Sequence, residues 1–352
     1  MTAPGWALEV ARDDPTATTL LDVDVPDPAD GEAVLRVERV GVTANNVTYA
    51  VLGDTLHYWD FFPAAGAGAG RVPLWGFAEV TASRADGVGA GQRLYGYLPP
   101  ASHLLVRPER AGASGFRDGS PHRAALPAVY NSYASADPGA DAGQEDLQVL
   151  FRPLFLTSFL LADQLAGQDA DVVVLSSASS KTAYGTAFLL SGGDVEVVGL
   201  TSPGNVGFTR SLGCYDRVLP YDAVTELAAE PTAYVDVAGS TPLRQELHRH
   251  LGADLVLDLV VGVTHRDTSP PGPLDGPRPT VFFAPDRMAA RTADWGRAGF
   301  EERSGAAWRR FAPAVAAWVD VRVSSVPQAL RDVWLEVLGG GGDPRAGHVV
   351  RL

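Results

Sequence analysis

Alternating apolar and polar residues dominate the first third of the chain. Residues 32–42 (EAVLRVERVGV) alternate with a period of two, which is typical of a half-buried β-strand. Further short strands are predicted at 72–82, 92–97 and 103–107, between turns rich in glycine and proline. Residues 107–144 are polar and rich in Gly, Ser and Asp, and they are predicted to form long loops and a domain junction.

The pattern changes at residue 145, where leucines begin to recur at helical spacing. This spacing predicts a helix over 145–165, kinked or split at Pro153. Short β-branched runs then alternate with helical segments. They predict strands at 172–175, 195–200, 216–221, 234–239, 254–262 and 279–285, with helices at 179–191 and 205–212. Such an alternation is typical of a doubly wound parallel sheet.

The end of the chain returns to a mixed pattern. From residue 319 onward it predicts a strand, a helix led by proline, a glycine-rich turn and a final strand. A closing strand after an α/β unit indicates that the chain returns to its first domain. The predicted fold class is α/β, with a doubly wound domain at 146–299 inserted into a β-rich domain made of residues 1–145 and 300–352.

Length, charge and cysteine content narrow the class of protein. A chain of 352 residues suits two domains, and its formal net charge of -14 argues against a nucleic-acid partner. The single cysteine, Cys214, excludes an intramolecular disulfide and a cysteine-rich zinc site. No signal-like start and no apolar run of roughly 20 residues are found, so a cytoplasmic protein without a membrane partner is expected.

The best candidate for binding chemistry is the strand, small-residue turn and helix at 172–190 (VVVLSSASSKTAYGTAFLL). Small side chains at such a turn let backbone N–H groups approach a pyrophosphate at the helix N-terminus. The G-x-G-x-x-G pattern is missing, and the alternative is a serine-rich cap on a structural helix. The predicted phosphate-binding residues are Ser177, Ser179, Ser180, Lys181 and Thr182.

The ends of the other strands supply further candidates. After the second strand the chain carries hydroxyl, amide and basic groups instead of the carboxylate usual in NAD sites, which favours NADPH over NADH. The alternative is an ordinary turn with a capping serine. These candidates are Thr201, Ser202, Asn205 and Arg210, joined by Gly239, Gly262, Val263 and Phe283 at later strand ends.

At this point the order of parts resembles the medium-chain dehydrogenase/reductase superfamily, near its quinone-oxidoreductase and enoyl-reductase branch. The resemblance rests on residues 33–54, 154–165, 172–221 and 319–352. The strings YWDFFP (58–63), LPAVYNSY (126–133), SSASSKTAYG (176–185) and SLGCYDRV (211–218) look like an uncharacterised branch, known as a domain of unknown function. The resemblance implies a Rossmann domain, a GroES-like β-barrel domain completed by the C-terminal segment, and an active cleft between them.

The resemblance also bears on metal and on single residues. Where zinc-dependent relatives carry Cys and His-Glu ligands, this chain has Thr43 and Trp75-Gly76, and its seven histidines form no recognisable ligand set, so no metal is expected. Thr157 falls near a family position that helps to seat the nicotinamide. Superfamily relatives are often oligomers, so the resemblance implies a homodimer formed through edge strands of the nucleotide domains.

Zinc-free reduction of a conjugated C=C bond needs a donor for the carbonyl oxygen and an acid for the α-carbon. Enoyl reductases of the superfamily use a tyrosine, and the candidates here are Tyr58 and Tyr49, with Asn45 as a further donor. None of the three matches the family register closely. The alternatives are an aromatic plug in the core for the tyrosines and a simple turn at the asparagine.

Three functions are therefore open. The first is an NADPH-dependent reductase of an enone, enoyl or quinone-type substrate. The second is a carbonyl (ketone) reductase on the same fold. The third is a non-catalytic protein that binds a small molecule, because the glycine-poor loop departs from the usual nucleotide pattern.

Overall fold

A computed structural model describes residues 5–262, 274–325 and 327–352. The chain divides into two compact units, one formed by Met1–Leu150 with Asp320–Leu352 and the other by Phe151–Val319. The boundaries expected from the sequence, at 145 and 300, both fall inside long helices. The change of pattern at residue 145 reports where a helix runs, whereas the division between the two units is set by tertiary contacts.

The secondary structure is rich in short strands. The strands in chain order are β1 (Gly5–Ala11), β2 (Thr18–Val23), β3 (Ala33–Val42), β4 (Ala69–Gly70), β5 (Leu74–Ser83), β6 (Arg93–Leu98), β7 (His103–Val106), β8 (Pro108–Gly112), β9 (Gly115–Asp118), β10 (Ser132–Ser135), β11 (Val172–Leu175), β12 (Glu196–Thr201), β13 (Arg217–Pro220), β14 (Thr232–Asp236), β15 (Leu255–Val260), β16 (Thr280–Val281), β17 (Asp320–Ser325) and β18 (Ala346–Arg351). The helices are α1 (Ala44–Val51), α2 (Ala142–Leu165), α3 (Lys181–Leu190), α4 (Val206–Ser211), α5 (Thr241–Leu251), α6 (Ala284–Trp318) and α7 (Pro327–Gly339). Within the described ranges, no helix is long and apolar enough to cross a membrane.

The first unit is built on two sheets. The larger has the order β17-β18-β3-β5-β6-β10-β9-β8, with β7 also paired to β3, and the smaller has the order β2-β1-β4. The closing strand β18 pairs antiparallel with β3, through His348↔Val42 to Arg351↔Arg39. This pairing places the end of the chain in the first unit. The core between the strands is apolar and includes the fully buried Leu35, Val40 and Leu94.

The prediction of long loops over 107–144 was wrong for three stretches. Strands β8 and β9 pair with each other, and β10 joins β9 to β6. These strands have only four or five residues, and β8 is largely exposed, so no alternation of apolar and polar residues announces them. Their place is set by pairing with β6, which is a tertiary contact.

The second unit confirms the doubly wound sheet. Its strands are all parallel and follow the order β13-β12-β11-β14-β15-β16. Counted within the unit, this is the order 3-2-1-4-5-6 of dinucleotide-binding domains. Strand order reverses between β11 and β14, and ligands of open α/β sheets bind at the carboxyl ends of strands at such a point.

Three further expectations need correction, two for helices and one for a strand. Helix α2 runs unbroken through Pro153, because residues on both sides of the proline are packed in the interior, among them Leu150 and Leu154. Strand β16 has two residues only, since α6 begins at Ala284. Helix α6 was not predicted: it buries only three of its residues and is interrupted at Gly296 (φ 71°), so it carries a weak apolar stripe.

Candidate functional site

The loop after β11 makes the tight turn that the sequence analysis assigned to phosphate binding. Ser177 has a φ of 48°, in the left-handed region that normally requires glycine. Its carbonyl accepts from the Ser180 N–H at 2.7 Å, which closes the turn. Ser180 then caps α3, accepting from the Ala183 N–H at 3.4 Å. A serine thus adopts the backbone conformation of a glycine, at a cost of about 1–2 kcal/mol.

Hydroxyl groups line this loop. The Ser179 Oγ accepts from the Asn205 Nδ2 at 3.1 Å and from the Thr201 Oγ1 at 3.4 Å. The Ser177 Oγ lies 3.3 Å from the Tyr221 hydroxyl. A hydroxyl that accepts in this way keeps its own proton to donate. The loop therefore offers donors beside the positive end of the α3 dipole, which is the chemistry that binds phosphate.

The loop brings together five of the predicted residues, Ser177, Ser179, Ser180, Thr201 and Asn205, through the contacts above. Lys181 and Thr182 form the first turn of the capped helix. Ser202 starts the short turn after β12, and the Arg210 Nη2 donates to the Val218 carbonyl at 3.1 Å. These positions agree with a phosphate site without testing it.

Other predicted residues lie elsewhere in the second unit. The Thr157 Oγ1 donates to the Pro153 carbonyl at 3.2 Å inside its own helix, a common arrangement for helical threonine. Gly239 follows β14 with a φ of 79° and Gly262 follows β15, whereas Phe283 caps α6 instead of ending a longer strand. Val263 lies outside the described residues.

Sequence reasoning missed Gly185 on α3. A Cβ added there would lie 2.7 Å from the Ser158 Oγ, so the glycine allows α2 and α3 to approach closely. The Ser158 hydroxyl donates to the Thr182 carbonyl at 2.9 Å across this contact. The available signal was that Gly185 is the one glycine within residues 172–190. Close packing of the helix is one role of the glycines in nucleotide-binding motifs.

A buried ion network lies behind the carboxyl ends of β14 and β15, and sequence reasoning missed it as well. The Asp236 Oδ2 is 2.6 Å from the Arg244 Nη2, and the Asp258 Oδ2 is 3.0 Å from the Arg244 Nε and 2.9 Å from the His248 Nε2. Burial raises the pKa of Asp258, and the nearby His248 and Arg244 oppose that shift. The signal was a lone carboxylate in each of two apolar strands, YVDVAG and LVLDLV.

A tyrosine cluster in the first unit contains the three predicted catalytic residues. The turn expected at Asn45 is the first turn of α1, where Thr43 and Asn46 form a capping box. Asn45 and Tyr49 are four residues apart and therefore share a face of the helix. The ring of Tyr58 lies 4.5 Å from that of Tyr49, centroid to centroid.

Tyr49 is the best-placed hydrogen-bond donor of this cluster. Its oxygen accepts from the Trp75 Nε1 at 3.1 Å and hydrogen-bonds the Asn45 side chain. The indole N–H of Trp75 and the amide N–H of Asn45 use the lone pairs of the phenol oxygen and leave its own proton to donate elsewhere. Burial raises the pKa of Tyr49, against the opposing effect of the two hydrogen bonds, so the phenol keeps its proton.

The other tyrosine hydroxyls are buried with it. The Tyr58 and Tyr130 hydroxyls lie 3.4 Å apart, and burial raises the pKa of both. The Tyr97 hydroxyl is fully buried and has no hydrogen-bond partner among the residues that the structure describes. The Tyr133 hydroxyl, in contrast, donates to the Tyr97 carbonyl at 2.8 Å and accepts from Arg123.

Removing the Tyr97 hydroxyl and removing the Tyr133 hydroxyl are expected to have opposite effects on the free energy of unfolding. Tyr97→Phe removes an unsatisfied polar atom and should raise the free energy of unfolding by about 1 kcal/mol. Tyr133→Phe leaves Arg123 and a buried carbonyl short of a partner and should lower it by about 1–3 kcal/mol. Urea denaturation of both variants measures the difference. Equal destabilisation by the two would contradict the assignment of the Tyr97 hydroxyl as unpartnered.

The single cysteine of the chain lies in the second unit. Cys214 is buried, its sulfur faces the Tyr184 carbonyl, and burial raises the pKa of the thiol to about 12. Within the described part of the chain, no group of three or more His, Cys, Asp or Glu side chains is placed to hold a metal ion.

Comparison with known proteins places the chain in a family. Residues 40–343 match the family described as "Protein of unknown function (DUF2855)". The chain belongs to this family. No curated protein matches the sequence.

Solved structures of the same fold include several reductases. CurA from Vibrio vulnificus in complex with NADPH is 12% identical, covers 98% of both chains and has a TM-score of 0.66. A putative NADPH:quinone reductase from Bacillus thuringiensis (12% identical, TM-score 0.63) and a mutant enoyl thioester reductase from Candida tropicalis (10% identical, TM-score 0.59) each cover 100% of both chains. These likenesses confirm the predicted fold class of a Rossmann-type domain joined to a GroES-like domain.

Proposed function

We propose that the chain is an NADPH-dependent oxidoreductase that reduces an activated C=C bond of an enone, enoyl or quinone-type substrate without zinc. The observation that carries the proposal is the hydroxyl-lined turn between β11 and α3. It has the sharp turn, the capped helix and the donor groups that a pyrophosphate needs. Structures of the same fold whose descriptions name NADPH support the choice of coenzyme.

The residues after β12 favour NADPH over NADH. A carboxylate that would bind the ribose hydroxyls of NADH, and repel a 2′-phosphate, is missing from the run Thr201, Ser202, Pro203, Gly204 and Asn205. The Asn205 amide reaches the Ser179 hydroxyl, so the two segments present their donors together. Ser177, Ser179, Ser180 and Lys181 would hold the phosphates in this proposal.

The tyrosine cluster supplies groups that suit the proposed chemistry. NADPH, when bound, supplies a hydride for the β-carbon of the C=C bond and is oxidised to NADP⁺. The Tyr49 proton, left over by the Trp75 and Asn45 contacts, suits a donor to the carbonyl oxygen, on which negative charge builds. Related alcohol dehydrogenases carry zinc ligands at two positions that hold Thr43 and Trp75 here. Thr43 caps α1, and Trp75 donates a hydrogen bond to the Tyr49 hydroxyl.

Titration of the protein with NADPH and NADH, followed by nicotinamide fluorescence, tests the proposal. We expect micromolar binding of NADPH and much weaker binding of NADH. Ser179→Ala should weaken NADPH binding about tenfold, because it removes one hydrogen bond to a charged ligand. Ser211→Ala is the matched control, since its exposed hydroxyl bonds the Phe208 carbonyl at the end of α4. No binding of either nucleotide would refute the proposal and favour the non-catalytic protein.

Deuterium transfer from labelled NADPH distinguishes the two reductase reactions. In C=C reduction the label is found on the carbon β to the carbonyl, together with an unlabelled α-proton from solvent. In ketone reduction it is found on the carbonyl carbon, and this outcome would replace the C=C assignment.

A further inference from the structure

Asp236 makes an unusual set of contacts at the carboxyl end of β14. Its Oδ1 accepts from the Ser176 hydroxyl at 3.0 Å, the Ala238 N–H at 3.2 Å and the Gly239 N–H at 2.9 Å. Its Oδ2 accepts from the Arg244 Nη2 at 2.6 Å. The carboxylate is fully buried, and all four donors point at it. A buried carboxylate in such a setting is held by directed hydrogen bonds.

These contacts tie together the two strands at which strand order reverses. Ser176 follows β11, and residues 237–239 follow β14. The Val237 N–H donates to the Ser176 Oγ at 2.9 Å, while the Ser176 hydroxyl donates to Asp236. Both hydrogen-bonding directions of this hydroxyl are thus used inside the protein. Ser176 therefore acts as a link between the two loops and is not a group left for a ligand.

The rest of the network holds the Asp236 side chain in place. Arg244 and His248 are four residues apart on the buried face of α5, so both reach the strands below. Arg244 pairs with Asp236 and Asp258. The two nitrogens of His248 face the Asp258 carboxylate and the Asp275 carbonyl. The carboxylates of Asp236 and Asp258 therefore contact cationic or hydrogen-bonding side chains of α5. These contacts offset the cost of burying carboxylates in apolar strands.

We propose that Asp236 is a positioning residue for the nucleotide-binding edge of the second unit, fixing Ser176 and residues 237–239 so that the turn after β11 and the loop after β14 keep one geometry. This inference rests on the proposed function, since the ligand of that edge is the nucleotide proposed above. Asp236 itself is buried and touches no ligand in this account. Its effect passes through Ser176 and through the backbone of the loop after β14.

Asp258 provides a matched comparison. It is equally buried, lies on the neighbouring strand and binds the same arginine, yet its side-chain contacts are with α5 and none reaches Ser176 or residues 237–239 among the described contacts. If the carboxylate at position 236 were merely structural, its replacement would therefore affect nucleotide binding no more than the replacement of Asp258. The replacement of a positioning carboxylate would affect it more.

The experiment compares Asp236→Asn with Asp258→Asn in the full-length protein. An asparagine at 236 turns an N–H₂ group toward Arg244 or toward the Ser176 and Gly239 donors. We expect its NADPH dissociation constant to rise at least about tenfold, the effect of losing about 1.4 kcal/mol. In the same variant, amide hydrogen exchange should speed up at residues 237–239. Asp258→Asn should lower the urea midpoint about as much as Asp236→Asn does. Its NADPH dissociation constant should nevertheless stay within about threefold of the wild-type value, and its amide hydrogen exchange at residues 237–239 should be unchanged.

The readouts separate this inference from the proposed function. If wild type binds NADPH but Asp236→Asn binds equally well, or if Asp258→Asn weakens binding as much, the positioning role is wrong and the nucleotide assignment stands. If wild type binds neither NADPH nor NADH, the proposed function fails. Amide hydrogen exchange at residues 237–239 then still tests whether Asp236 fixes this loop. Faster exchange in Asp236→Asn alone supports that role, and equal exchange in both variants overturns it.

Discussion

Above about pH 10 the protein is expected to lose stability steeply and to unfold in one cooperative step. Of its ten tyrosines, eight have a pKa that burial raises above the ordinary value. They are Tyr49, Tyr58, Tyr97, Tyr130, Tyr133, Tyr184, Tyr215 and Tyr234. In the unfolded chain these phenols ionise near pH 10, whereas in the folded protein burial keeps them protonated to higher pH.

The sign of the effect follows from the raised pKa values. The contribution of each tyrosine is fully present below the pKa of the unfolded chain and is lost as the pH rises toward the pKa of the folded state. Each group costs about 1.4 kcal/mol per pH unit in that range. At the limit, the eight groups together lower the free energy of unfolding by about 11 kcal/mol per pH unit. Within roughly one to two pH units this loss exceeds the 5–15 kcal/mol by which domains are typically stable.

Tyrosinate absorbance and circular dichroism, recorded during the same alkaline titration, check this expectation. Both signals should change in one shared transition, since the buried phenols ionise only when the fold is lost. The Tyr97→Phe variant has one fewer such group and should lose stability less steeply, by about 1.4 kcal/mol per pH unit. A rise of tyrosinate absorbance near pH 10 that accounts for most of the ten tyrosines, with unchanged dichroism, would contradict the burial of these eight side chains.

Replacing Arg123 with methionine is expected to destabilise the first unit by about 3–5 kcal/mol. The guanidinium is 1% exposed, and it donates to Asp118 at 2.8 Å, Asn131 at 2.9 Å, the Tyr133 hydroxyl at 3.0 Å and the Tyr130 carbonyl at 2.6 Å. Methionine preserves much of the volume but leaves the Asp118 carboxylate buried without its counter-charge. The loss follows from that unpaired charge, together with three unsatisfied acceptors.

The control for this substitution is Arg297→Met. The Arg297 side chain is 79% exposed and pairs with Glu301 on the surface of α6, so the change in unfolding free energy should stay within about 0.5 kcal/mol. Urea denaturation measures both variants. A loss below about 1 kcal/mol for Arg123→Met would mean that the guanidinium does not anchor the segment 118–133. The same measurement bears on the tyrosine cluster, because this segment carries Tyr130.

Sequence patterns determined much of the second unit. Runs such as VVVL at 172–175 are apolar along their whole length, which only a strand buried on both faces requires, and the alternation with helices then leaves few topologies. The serine turn was located for a similar reason, because a small-residue turn between a buried strand and a helix is a local feature. The return of the chain to the first unit was predictable from the strand, helix and strand that end it.

Other features had no local signal. Short strands such as β8 and β10 depend on their partners, and the amphipathic pattern of α6 is too weak to announce a helix of 35 residues. The left-handed conformation of Ser177 is also invisible in the sequence, because serine is not among the residue types that favour positive φ.

The chain by itself therefore determined most strands of the second unit and the position of the serine turn after β11, since both follow from short-range periodicity and residue type. Tertiary structure alone decided which side chains meet. Trp75 reaches Tyr49, and Arg123 reaches Tyr133, only through the pairing of the first unit's strands. Asp236 meets Ser176 across 60 residues because β11 and β14 are neighbours in the sheet. Hydrogen bonds and ion pairs act over a few ångströms in space, and distance along the chain does not limit them.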